Sequence, residues 1–211
     1  MRSLGPALVV VIISAVSAIA QCPPPISDCI DQACSPIVIN FAQGGYRLTG
    51  ADSPVIFDIA ATGQPVRIGW TAAGADEAFL CLDRNHNGRI DSGAELFGTA
   101  TPLKDGTRAW NGFAALAEFD DKHDGIIDEG DAIWSQLLLW RDLNHDGISQ
   151  SHELTSVADS GLTAISVDYH WSGRRDVSGN VFRYESQVWI QDTAHQPTPG
   201  PVYDIFFRRV P

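Results

Sequence analysis

Three times between residues 83 and 153 the chain sets oxygen-bearing side chains on alternate positions and then places a glycine. The three runs are DRNHNGRIDSGAE (Asp83 to Glu95), DDKHDGIIDEGD (Asp120 to Asp131) and DLNHDGISQSHE (Asp142 to Glu153). Each such run reads as a turn between regular elements, because Asp, Asn and Gly favour turns. The runs fix three loops, and the apolar segments between them must form the elements that the loops join. The spacing also carries chemistry. Calcium takes six to eight oxygens, and a twelve-residue loop supplies them from positions 1, 3, 5, 7, 9 and 12, with glycine at 6 where the chain turns sharply.

The last loop, 142–153, fills every position. Asp142, Asn144 and Asp146 take 1, 3 and 5, Gly147 takes 6, and the Ile148 carbonyl is at 7. Gln150 is at 9 and Glu153 at 12. The first loop, 83–95, has Asp83, Asn85, Asn87, the Arg89 carbonyl and Asp91, but its glutamate, Glu95, arrives at 13 after Ser92-Gly93. A bend at Gly93 would bring Glu95 back, and Asp91 would then bind directly. The middle loop, 120–131, offers Asp120, Asp124, the Ile126 carbonyl, Asp128 and Asp131. Its position 3 is Lys122, which has only donors and cannot ligate a cation, and Asp131 is shorter than a glutamate. His86, His123 and His145 stand at position 4 of each loop, which makes a soft-metal site the alternative. Asp58 to Gly63 resembles a further, degenerate loop in which Ala60 supplies no ligand.

Charge agrees with cations and argues against nucleic acid. The formal net charge is -12, and residues 76–153 hold 16 Asp or Glu against 6 Lys or Arg. A chain with this balance does not neutralise phosphates, and its own crowding favours cations among the carboxylates.

The first 20 residues have the form of a secretory signal peptide: Arg2, an apolar run, then Ala18-Ile19-Ala20 before the expected cut. The apolar run is short for a membrane span, and Gln21 occupies the place where a lipoprotein signal needs a small residue. Residues 21–35 read as a proline-rich leader bearing disulfides, since an exported chain meets an oxidising environment. A local bridge within CPPPISDCIDQACSP and a second one reaching Cys81 are expected.

Residues 36–211 are expected to form one α+β domain, with short antiparallel strands flanking a helical insert with EF-hand-like calcium loops. Strands are expected in PIVINF, GYRLT, PVIFDI, VRIGW, AFLCLD and LLLWRD, and in the tail segments LTAISVDY, VFRYESQVWI and VYDIFFRRV. Helices are expected at Asn111–Phe119 with Asn111 as cap, at EGDAIWSQLL, and at SHELTSVADSG.

The full string, from FDIAATGQPVRIGW through AFLCLDRNHNGRIDSGAELFG and NGFAALAEFDDKHDGIIDEGD to LLLWRDLNHDGISQSHEL and SGLTAISVDY, resembles an exported bacterial family of EF-hand-like calcium-binding proteins. The same block occurs in larger haemolysin-type repeat proteins. The resemblance covers about residues 36–190. It implies calcium binding and export; it does not imply an enzyme activity, and none is expected. It also implies that the late glutamate of IDSGAELFG is a family form, whereas Lys122 departs from the Asn or Asp usual there.

The expected function is therefore a secreted calcium-binding protein whose ions stabilise the fold, held at the cell surface, in the periplasm or released. Its extracellular protein or glycan partner is not named by the sequence. A surface adhesin or carbohydrate binder is the alternative, motivated by Trp171 beside HWSGRRDVSGN. A hydrolase is disfavoured: GxSxG and HExxH are absent, and no cysteine is poised as a nucleophile.

Overall fold

The computed structural model describes residues 34–42 and 44–211. The signal peptide and most of the leader, with Cys22 and Cys29, lie outside the described residues.

The strands are β1 (Ile37–Asn40), β2 (Val55–Phe57), β3 (Val66–Ile68), β4 (Glu77–Cys81), β5 (Ile126–Asp128), β6 (Leu138–Trp140), β7 (Leu154–Ser156), β8 (Leu162–Ser166), β9 (His170–Arg175), β10 (Val181–Gln191) and β11 (Pro197–Phe206). Nine of them make one sheet in the order β5-β8-β10-β11-β1-β4-β6-β7, with β9 also on β10. The pairings are antiparallel throughout. β2 and β3 form a separate hairpin.

Both faces of the sheet are covered, and period-2 alternation sorts the side chains between them. Ile37 and Ile39, Ala78 and Leu80, Leu139, Val202 and Phe206 face one core, under the helix α1 (Gly112–Ala117) with Phe113 and Leu116. Val38, Phe79 and Cys81, Trp140, Tyr203 and Ile205 face the other, under the β2–β3 hairpin with Phe57 and Ile68. That second core is aromatic. Trp70 lies 4.3 Å from Phe79 and 5.6 Å from Trp140, ring centre to ring centre.

The α+β reading is overturned. Among the described residues α1 is the one α-helix, and the acidic segment is not a helical insert. Its strands β5, β6 and β7 belong to the main sheet. EGDAIWSQLL yields a single 3-10 turn at Trp134–Gln136, and SHELTSVADSG yields two, Ser151–Glu153 and Val157–Asp159, with β7 between them. The loops are consequently not EF-hands, because no helix–loop–helix frame surrounds them. GYRLT contributes only an isolated bridge, Leu48 to Thr71. The expected strands elsewhere, and the Asn111 cap, which accepts from the Ala114 N–H at 2.8 Å, are present.

Cys81 is fully buried in β4 with its thiol donating to the Leu138 carbonyl, and burial pushes that thiol up in pKa. Neither Cys34 nor Cys81 is in a disulfide, so the expected bridge to Cys81 is not formed. Among the described residues no helix is long and apolar enough to cross a membrane.

Candidate metal loops

The three loops share one backbone design. In each, position 4 is a histidine in the left-handed region (His86, His123 and His145, φ between 55° and 62°), and position 6 is a glycine there too (Gly88, Gly125 and Gly147). The position-1 aspartate drives this geometry by accepting N–H groups from its own loop. Asp83 takes Asn87 and Gly88 at 3.1 and 2.8 Å, Asp120 takes Asp124 and Gly125 at 3.3 and 2.8 Å, and Asp142 takes Asp146 and Gly147 at 3.1 and 2.8 Å. Asn85, Asn87, Asp124, Asn144 and Asp146 each accept the N–H two residues on, as Asx-turns do.

The closing carboxylates also match. Glu153 accepts the Leu143 N–H (position 2) at 2.8 Å and the Gln150 N–H (position 9) at 3.3 Å. Asp131 accepts the N–H groups of Asp121 (position 2) at 3.0 Å and Asp128 (position 9) at 3.0 Å. Glu95 accepts the Asp91 N–H (position 9) at 2.9 Å. One residue late in sequence, Glu95 therefore closes its loop as Glu153 does. The bend is at Gly93, whose backbone packs so tightly on Ile59 that a Cβ would lie 1.9 Å from the Ile59 carbonyl oxygen.

The loops differ in what surrounds their carboxylates. In the third loop Asp142 and Glu153 are each 2% exposed. Two core indoles reach them: Trp70 Nε1 donates to Asp142 at 2.9 Å and Trp140 Nε1 to Glu153 at 3.3 Å. Burial, together with Glu153 and Asp146 nearby, pushes the Asp142 carboxyl above its ordinary range, against the pull of the Gly147 and Asp146 N–H groups. Gln150 donates its amide to Asp146, while its Oε1 is buried and faces the Glu153 N–H in a capping box without a full hydrogen bond. In the first loop, burial raises the Glu95 carboxyl. Its Oε1 is buried and partnerless. The Asn85 N–H lowers the Glu95 pKa without reaching hydrogen-bonding geometry. In the middle loop Lys122 Nζ stands 2.7 Å from Asp128. The hydrogen bond to Asp128 raises the pKa of this lysine. Burial works against the ionised form of Asp120, but the N–H groups of Gly125, Asp124 and His123 hold it below the usual carboxylate range.

Among the described residues, no three His, Cys, Asp or Glu side chains come together as a preassembled metal cluster. The position-4 histidines belong to no such cluster among the described residues. His145 instead packs its Nδ1 2.6 Å from the Thr71 carbonyl, pinning the third loop to the chain beside Trp70. For calcium the fit is different. The donors are oxygens of Asp, Glu, Asn and backbone, which suit a hard cation. The two buried oxygens that lack a full hydrogen bond, on Glu95 and Gln150, are the kind of group that a native fold leaves for an ion or water. An ion would draw the remaining carboxylates from their N–H partners.

Loops one and three meet. Ser149, at position 8, donates its hydroxyl to the Ile90 carbonyl (3.1 Å) and accepts the Ile90 N–H (2.7 Å), itself at position 8. Arg89 and Ile148, the position-7 residues, line one shallow cleft there together with Asp58 and Pro65. In the middle loop Ile126, the corresponding residue, pairs with Ser166 of β8. The degenerate stretch keeps the design: Asp58 accepts the N–H groups of Thr62 and Gly63 at 3.0 and 2.7 Å, with Ala61 and Gly63 left-handed. Loop shape therefore survives without a ligand set. The sequence reading did not find Trp70, Trp140 or Ser149, because residues this distant in the chain give no local spacing signal.

Residues 37–207 match the model of the SPM domain. The chain is also 43% identical over 148 residues to the iron-regulated protein FrpA of Neisseria meningitidis serogroup C, which is 69% of this chain and 13% of that protein. The chain thus spans a small part of the length of that relative. The matched region runs from the first residue of β1 to the residue after β11, and the chain belongs to the SPM domain family.

Proposed function

We propose that this SPM domain is an exported, calcium-stabilised module with a structural or binding role, taking its ions at the loops that open with Asp83 and Asp142. The observation that carries the reading is the pair Asp142 and Glu153. Both are nearly fully buried, and among the described residues neither has an ion pair with Lys, Arg or His. Buried charge without a counter-charge is costly, and a divalent cation between these groups relieves it. Ligands would be Asp142, Asn144, Asp146, the Ile148 carbonyl, Gln150 and Glu153 in one loop. In the other they would be Asp83, Asn85, Asn87, the Arg89 carbonyl, Asp91 and Glu95. The signal-like N-terminus supports export, where millimolar calcium suits weak structural sites.

A calorimetric calcium titration of the full chain, stripped of metal, tests this together with thermal melts in chelator and in calcium. The expected result is binding with a raised Tm, and Asp142→Ala removes one site while leaving the Asp83 site. An unchanged melt and no heat into the millimolar range would refute it.

A second reading, glycan binding, rests on Trp171. It is 63% exposed, packs edge-on to Tyr184 and has the Arg183 guanidinium 6.0 Å from its ring centre. Exposed aromatic platforms of this kind suit sugars, and a glycan array run with and without calcium decides between this and a purely structural role.

A further inference from the structure

We propose that the middle loop carries its own cation: the Lys122 ammonium takes the place that calcium takes in the other two loops. The module then binds two calcium ions, and its third loop stays closed without one. The count of two rests on the calcium reading above; the role of Lys122 does not.

The geometry is that of a bound cation. From position 3, Lys122 folds back so that Nζ lies 2.7 Å from Asp128, 3.3 Å from Asp124 and 3.7 Å from Asp131. These are positions 9, 5 and 12, which hold Gln150, Asp146 and Glu153 in the third loop; the first loop has Asp91 and Asn87 at 9 and 5 and closes with Glu95 one residue late, at 13. An ammonium has three donors and no acceptor, so it serves carboxylates as a small cation does. The Asp131 side chain is fully buried and has this one cationic neighbour among the described residues. The chain also makes room for the lysine. A Cβ on Gly130 would lie 3.2 Å from Lys122 Cδ and 3.3 Å from Nζ, and 3.1 Å from Asp128 Oδ1. The glycine thus leaves a path for the aliphatic stem across the loop.

A tethered cation competes at high effective concentration. Calcium would have to displace the ammonium while leaving it on the same loop, where like charges repel. The consequence lies in the sheet. This loop contains β5 (Ile126–Asp128), the edge strand that pairs with β8. Lys122 therefore keeps that edge ordered at any calcium level, while the first and third loops respond to the ion.

The test uses the full chain in three forms. Calcium calorimetry is expected to give two sites in the unaltered protein and three in Lys122→Asn, which restores the position-3 residue of the other loops. Three sites in the unaltered protein, or two in a folded Lys122→Asn, overturns the proposal. Melting in chelator separates this idea from the calcium reading. Lys122→Met keeps the stem and removes the charge, and is expected to lower Tm by about 2–4 °C. If the unaltered protein binds no calcium, the calcium reading falls and this melt alone decides: an unchanged Tm in Lys122→Met overturns the role of the lysine.

Discussion

Asp204 shows how one residue sets a pH dependence. It sits on β11 facing the helix-covered core and is wholly buried. One oxygen accepts the Gly112 N–H at the start of α1, and the other has no hydrogen-bond partner. Burial pushes its carboxyl up to about 6, against the opposing pull of the Gly112 N–H, the Ser35 hydroxyl and the Arg183 guanidinium. The Ser35 hydroxyl is close enough to act on the charge but misses hydrogen-bond geometry, which leaves Oδ1 unpaired. The sign follows from linkage. The native state holds this proton more tightly than the unfolded chain, whose Asp titrates near 3.9. Stability from this group is therefore full below about pH 4 and falls as pH rises to about 6. The loss is about 2–3 kcal/mol above that range. Asp204→Asn keeps an acceptor for Gly112 and carries no charge. Its urea midpoint should exceed that of the unaltered protein at pH 7 and equal it at pH 4. A lower midpoint at pH 7 would show that the ionised form is held favourably. Nothing in the sequence marks this aspartate, since VYDIFF reads as an ordinary strand.

At the scale of elements, α1 was legible and the other helices were not. NGFAALA joins a capping asparagine to an apolar stripe, and Phe113 and Leu116 are fully buried on it. The cap is local, so its cost is local. Asn111→Ala should lower stability by about 1 kcal/mol, read as a shift of the denaturant midpoint with unchanged m-value. Asn111 is fully buried with its Nδ2 unpartnered, so a larger loss would mean that packing around the side chain is lost along with the cap. EGDAIWSQLL has the same kind of spacing, and Ile133, Trp134 and Leu137 do share one core. They reach it from a single 3-10 turn, after which Leu137 turns extended and β4 and β7 pair with Leu138–Trp140. Apolar spacing reports which residues must be buried; the pairing that makes them strand instead of helix lies 57 or more residues away in β4. The tail strands were legible because they alternate over long runs. β9, HWSGRR, was not, because its burial is slight and its composition polar. The loops were the most legible part, since their geometry comes from side chains bonding their own backbone. The closure by Glu95 followed from the Gly93 bend, but the fold-back of Lys122 onto Asp124, Asp128 and Asp131 did not, since spacing alone showed only that a lysine is no ligand.

The whole molecule ties the first and third loops, the proposed calcium sites, to the core and to each other through two routes that sequence spacing cannot show. One is the indole pair, in which Trp70 and Trp140 belong to the aromatic core and donate to Asp142 and Glu153. Calcium that re-forms those carboxylates alters both indoles, so tryptophan emission should shift on titration, and Asp142→Ala should remove most of the change. The other is the contact of the first and third loops at position 8, where Ser149 both donates to and accepts from Ile90. A β-ladder would spread such a link over several backbone bonds; here one hydroxyl holds both, so the two loops order each other through a single buried side chain. Ordering one loop then reduces what the second must lose on binding, which is positive coupling without a change of fold. Reciprocity requires the same factor in both directions. Glu153→Gln, which weakens the third loop, should therefore also weaken calcium at the first by about fivefold or more, the low end of typical coupling. In a Ser149→Ala background that factor should fall towards one, while each site still binds. Calorimetry of the four proteins in this cycle measures it. Coupling that persists in Ser149→Ala would mean the loops communicate through the Trp70 and Trp140 core instead of through the hydroxyl, and additive behaviour throughout would mean they are independent sites on one rigid sheet.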